Sequence, residues 1–211
     1  MIDKNLQEDI LKEIFNVSVG RAAGMLSEIT ERTILLDIPE VEFSNMAGDP
    51  SSDADIIPPV INGTLMVSSV SFGEELNGKA NLIFPADKMR TFINLCMKTQ
   101  DAEESTLGSF TDIDFDVIKE IGNIILNCIM GGLGEYLEVP FEYALPEVEV
   151  FNRIDFAENI RSKGYTQVLI LTITFRIDET EILGAVIIDL SLNSLLGLQE
   201  KLNEIGEQLY V

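Results

Sequence analysis

Apolar residues recur with helical periodicity over residues 5–29. On a wheel of about 100° per residue with Asp9 at zero, Leu11, Ile14, Phe15, Ala22, Met25, Leu26 and Ile29 fall within an arc of about 140° to 260°, the predicted core face. Asp9, Glu13, Asn16 and Gly20 lie opposite. A second tract ending near Leu137 behaves alike: Ile118, Ile121, Ile125, Ile129, Leu133 and Tyr136 share one face, and Asp116, Glu120, Asn123 and Asn127 line the other.

Most of the rest reads as strands. Thr33–Asp37 and Glu40–Ser44 flank Pro39, and Ile61–Phe72 with Lys79–Phe84 form a hairpin turning at Gly73–Gly78. A loop from Met46 to Pro59 has its clearest breaker at Gly48–Asp53, Asp87–Lys98 is helical, and the acidic stretch Thr99–Thr111 reads as a linker. Strand segments then run to Val150, followed by a short helix over Ile154–Arg161. Strands over Gln167–Ile177 and Ile182–Leu190 turn at Glu179-Thr180, and a last helix runs from Leu192 to Leu209.

The two halves are copies. Asp9, Glu13, Asn16 and Pro39 return as Asp116, Glu120, Asn123 and Pro146, each 107 residues later, so both copies read D-x3-E-x2-N-x22-P. Residues 9–42 and 116–149 share 13 identities in 34 positions without a gap. Gly78–Phe84 likewise resembles Gly184–Leu190 at an offset of 106. Two copies are too few for a solenoid. They suit one α/β (α+β) domain over 1–211, built from pseudosymmetric halves at 1–100 and 112–211. The expected architecture is a mainly antiparallel sheet backed by helices, with the two long motif helices exposing their stripes on one side. Small residues cluster late in both long helices, at Gly20, Ala22, Ala23 and Gly24 and at Gly131, Gly132 and Gly134. They mark either close backbone approach or fraying of the helix end.

Charge and composition narrow the chemistry. The net charge of −22 comes from 36 acidic against 14 basic residues. Such a field repels nucleic acid and anionic membrane; it either steers in a basic partner or serves solubility. With no histidine in the chain, imidazole acid–base chemistry and histidine metal ligation are excluded. Cys96 and Cys128 fall in apolar helical tracts and read as reduced core thiols. No apolar signal core and no apolar run of membrane-spanning length is expected, which points to a cytoplasmic chain.

Spacing of i, i+4, i+7 puts Asp, Glu and Asn on one stripe, where they can engage a single object. A carboxylate accepts hydrogen bonds from lysine or arginine, and an amide can hold a water against an electrophile without serving as its base. A polar helix face is commonly only solvated; its return at a fixed offset, with the same downstream proline, raises the competing reading of a paired site. Both amides lie away from the predicted core, so their removal is expected to leave the fold intact.

Glu13-Ile14-Phe15-Asn16-Val17-Ser18-Val19-Gly20 and Glu120-Ile121-Gly122-Asn123-Ile124, each with a proline 23 residues past the asparagine, resemble the CheC/CheX/FliY phosphatases of chemotaxis, with two sites in the manner of CheC. The resemblance implies hydrolysis of the aspartyl phosphate of a CheY-like response regulator. Asn16 and Asn123 would orient the attacking water, Glu13 and Glu120 would pair with a regulator lysine, and Asp9 and Asp116 would give supporting substrate contacts. Pro39 and Pro146 would be structural. The implied Mg2+ is carried by the regulator, so no metal or cofactor of the chain's own is expected. The deamidase CheD is a possible partner by the same resemblance, and a non-enzymatic module binding the regulator or CheD is the competing function. A flagellar switch component is a third, disfavoured because the chain has no room for the extra switch domain. Phe15 departs from the glycine at Gly122; its wheel position is expected to alter packing more than chemistry.

Overall fold

The computed structural model describes residues 2–45, 56–96, 110–163 and 167–209. Most of the expected 46–59 loop and 99–111 linker lies outside them, as does the side chain of Cys96.

The element order is α1 (Lys4–Thr30), β1 (Ile34–Asn45), β2 (Thr64–Glu74), β3 (Gly78–Pro85), α2 (Ala86–Cys96), α3 (Asp112–Leu137), β4 (Phe141–Tyr143), β5 (Glu147–Asn152), α4 (Arg153–Ser162), β6 (Gln167–Ile177), β7 (Thr180–Leu190) and α5 (Leu192–Leu209). Caps define both motif helices. Asp3 accepts from the N–H groups of Asn5 and Leu6 to start α1. Thr111 and Asp114 form a reciprocal capping box on α3. Glu31 and Glu138, an identical pair in the repeat, both end their helices in the left-handed region, at φ 54° and 56°.

All strand pairings are antiparallel, in the order β1-β6-β7-β3-β2-β4, with β5 also on β2. A pseudo-twofold axis between β3 and β7 relates β1 to β4/β5, β2 to β6 and β3 to β7. Each half therefore lends its first strand to the other half's hairpin: β1 pairs with β6, and β5 with β2. The domain is single because neither half completes its sheet without the other.

Central strands are buried on both faces, which explains their near-continuous apolar runs. Ala80, Leu82, Phe84, Val186 and Ile188 pack under the helical layer that contains α1, α2, α3 and α5. Ile83, Ala185 and Ile187 pack against α4 and residues 56–61 on the opposite face. The guanidinium of Arg153 ties that segment to α4 by donating to the carbonyls of Ile57 (2.6 Å), Pro58 (3.2 Å) and Ile61. Asp189, fully buried on β7, accepts from Asn81 at 2.9 Å and Lys163 at 3.1 Å.

Three expectations need correction. Met25, Ile29 and Tyr136 are exposed rather than core. The buried residues of α1 drift from about 100–240° on the wheel near Ile10–Phe15 to about 220–320° near Ala22–Thr30. A straight wheel ignores that drift, natural for a long helix crossing a twisted sheet. Second, α3 is long and apolar enough to cross a membrane by length and composition. More than half of its apolar window is buried within the fold, as suits a core helix. Third, the two strand segments around Pro39 form one strand, β1, with a register shift between Asp37 and Glu40.

Burial alone would raise the Asp114 carboxyl, but hydrogen bonds from the Thr111 N–H and hydroxyl and from Arg90 outweigh it and hold the group below its ordinary value. A carboxyl depressed on folding stabilises the native state above its unfolded value, about pH 3.9, and that contribution fades as pH falls through the lower folded value. Asp114→Ala should destabilise by about 1–2 kcal/mol near neutrality. In urea titrations, the gap from the wild type should close as pH falls below about 4; a gap independent of pH would remove the carboxylate from the cap.

Candidate functional site

α1 folds back along β1 as a helix–strand hairpin stitched at three levels. At the far end, Lys4 Nζ donates to the Phe43 carbonyl (3.0 Å), and the Phe43 N–H donates to Glu8 (2.9 Å). Near the turn, the Ile34 N–H donates to the Ser27 hydroxyl (2.9 Å). The middle stitch is Asn16. Its Nδ2 donates to the carbonyls of Lys12 (2.9 Å) and Ile38 (3.0 Å), while the Ile38 N–H donates to its Oδ1 (2.8 Å). Ile38 sits in the bulge, where the β1–β6 ladder slips. Asn16 supplies the partners that the interrupted ladder does not. The recurrent x22 spacing between Asn and Pro thus has a structural meaning in the first half: the amide holds the residue just before Pro39.

The second half departs from this. Pro146 lies in the Ala144–Pro146 break between β4 and β5, and Leu145, the counterpart of Ile38, is 86% exposed. Asn123 is half-buried, and its Oδ1 accepts instead from Asn127 Nδ2, one turn on, at 2.9 Å. No bond to its NH2 group is recorded among the described residues. Gly20 occupies the position of Asn127 in the first copy, so only the second stripe has a neighbouring amide to orient its asparagine.

Asp9, Glu13, Asp116 and Glu120 are all exposed, with no recorded ion pair among the described residues. Both stripes therefore present acidic side chains to solvent beside a half-buried amide. Such groups can receive a cationic side chain and position a water; no activated nucleophile stands among them. Among the described residues, no group of three or more cysteine and carboxylate side chains is arranged to hold a metal ion. Cys128 is a free, half-buried thiol, pushed up by burial against the opposing pull of Arg21.

Phe15 is fully buried, as its wheel position predicts. At Gly122 a side chain would collide with Ser68, its Cβ only 2.0 Å from the Oγ, so the glycine lets α3 press on β2. Gly132 likewise admits Ser18 of α1, while Gly20, Gly24 and Gly131 face open space. Close approach accounts for Gly132 but not for those three.

No protein-family model matches the chain. Over 150 residues it is 24% identical to the CheY-P phosphatase CheC of Bacillus subtilis, covering 70% of this chain and 68% of that protein. The chain is thus similar to CheC over most of its length. Its fold is that of the CheC/CheX/FliY group. Thermotoga maritima FliY superposes with a TM-score of 0.70 at 18% identity, covering 97% of this chain and 99% of that one. The FliM middle domain of H. pylori shares the fold too, with a TM-score of 0.61 at 10% identity over 95% and 99% of the two chains. A CheC-type fold thus accommodates proteins of more than one name, and the residues on the stripes must carry the functional argument.

The amides contradict the expectation that both can be lost without effect on folding. Asn16→Ala strands the N–H and carbonyl of the buried Ile38 and should destabilise by about 1–3 kcal/mol. Asn123→Ala should stay within about 0.5 kcal/mol of the wild type. Urea midpoints of the two variants check this ordering; equal midpoints would deny Asn16 its role at the bulge.

Proposed function

We propose that this CheC-like protein is a cytoplasmic hydrolase that removes the aspartyl phosphate of a CheY-like response regulator in chemotactic two-component signalling. The observation that carries the reading is the second stripe. There an exposed Glu120, with no ion pair among the described residues, precedes Asn123 by one helical turn, and Asn127 donates to the Asn123 amide. Glu120 accepts a lysine ammonium of the regulator, and Asn123 enters its phosphorylation pocket and holds the attacking water in line. Water attacks phosphorus, the bond from phosphorus to the aspartyl oxygen breaks, and inorganic phosphate leaves with the aspartate restored. The Mg2+ that offsets the phosphoryl charge belongs to the regulator. Because the chain's part is positioning, small changes in amide placement carry large rate effects. Glu13 and Asn16 offer the same side chains in the first half, with Asp9 and Asp116 as flanking contacts.

A second reading, a CheC-like module that binds a regulator or the deamidase CheD without turnover, draws on one observation: the Asn16 amide is already committed to Ile38. Decay of radiolabelled phospho-regulator, with and without the protein, separates the two. The phosphatase accelerates decay; the module binds without accelerating it.

Within the phosphatase reading the sites are unequal. Asn123→Ala should lower the dephosphorylation rate about 10- to 100-fold at subsaturating regulator, more than Asn16→Ala does in protein verified to be folded. A larger loss from Asn16→Ala would reverse the ranking. Glu13→Lys combined with Glu120→Lys should weaken regulator binding at low salt, with the difference shrinking as salt rises. Affinity that does not change at low salt would take both glutamates out of the interface.

A further inference from the structure

The duplicated helices have diverged where they cross. Contacts between α1 and α3 run antiparallel: Arg21 pairs with Glu135 at 2.7 Å, Ser18 meets Gly132, and Met25 meets Cys128 with their sulfurs 3.9 Å apart. The 107-residue offset makes Gly132 the counterpart of Met25, and Cys128 that of Arg21. Each stripe is therefore flanked by the far end of the other helix, but the two flanks are filled differently.

Beside the first stripe, where the position is glycine, lies an open groove of about 640 Å3. Ile10, Ile14 and Val17 line it from α1, with Tyr136 on the α3 side. Asp9 and Glu13 stand on its rim, and the Arg21–Glu135 pair also lines it. Val17 is 53% exposed. Beside the second stripe, where the position is methionine, Met25 packs on Cys128 and the counterpart of Val17, Ile124, is only 7% exposed. Among the described residues, the first stripe thus adjoins an apolar recess, while the matching position beside the second is filled.

We propose that this groove is a docking pocket for an aliphatic side chain flanked by lysine or arginine on the regulator's surface, an anchor beside the first stripe. The inference rests on the phosphatase reading only for the identity of the partner. Charge complementarity selects the occupant: the floor is apolar, and the rim carboxylates Asp9 and Glu13 have no recorded ion pair among the described residues. A neutral apolar occupant would leave them unmatched, as would an acidic one, which they would also repel. A basic residue beside an aliphatic anchor satisfies both features.

The test titrates the full chain with the source organism's CheY-like receiver proteins, held in the active state by beryllofluoride. The variants are Val17→Asn, which makes the groove polar, and Ile29→Asn, an exposed change at the corresponding end of the other crossing. Val17→Asn should raise Kd about tenfold while Ile29→Asn leaves it near the wild-type value. Phosphatase activity is measured in parallel. Equal affinities for all three proteins would overturn the docking pocket even if dephosphorylation is accelerated. Binding that depends on Val17 without accelerated dephosphorylation would uphold the pocket and sink the phosphatase reading. Absence of binding to every receiver would overturn the assigned occupant. So would concentration-dependent self-association that Val17→Asn abolishes, since the groove would then hold a second copy of the chain.

Discussion

The exchange of first strands across the β3–β7 pair is the constraint on which everything else depends. Because β1 completes the β6–β7 hairpin and β5 completes the β2–β3 hairpin, both motif helices must pass over the same face of one sheet. That places α1 and α3 side by side and makes each stripe a neighbour of the opposite helix's end. The paired sites and their separate surroundings both follow from that crossing, which neither half could make alone.

Much of this was legible in the chain. The long helices, the two hairpins and the final helix follow from periodicity and turn residues, because their apolar faces are long and their caps and breakers conventional. Strand exchange was not legible: a fixed offset states which residues are equivalent, not which strand lies beside which. Met25, Ile29 and Tyr136 were misplaced because a helical wheel has no twist, whereas the sheet beneath does. The carboxylates of the Asp-Glu-Asn stripes were readable as shared, exposed positions. The work of Asn16 in the bulge was not, although its signal was present in the 22 residues separating it from Pro39.

Duplication began from equivalence, and packing has since removed it. A glycine against a serine leaves one flank open, and a methionine against a cysteine occupies the other. One asparagine is spent on the backbone of a strand, and the other is steered by a neighbouring amide. These differences lie in residues beside the shared motif rather than in it, so two copies of the same short pattern present two dissimilar surfaces.

The bulge in β1 has a consequence at the sheet's margin. Among the described residues β1 is the outermost strand on its side, twelve residues long, and an unprotected edge of that length is a template for growth by a further strand. The slip at Ile38, the missing N–H of Pro39 and the acidic Asp37, Glu40 and Glu42 spoil that template, and Asn16 holds the slip in place from the helix side. A side chain on a helix therefore helps keep copies of this chain from joining edge to edge.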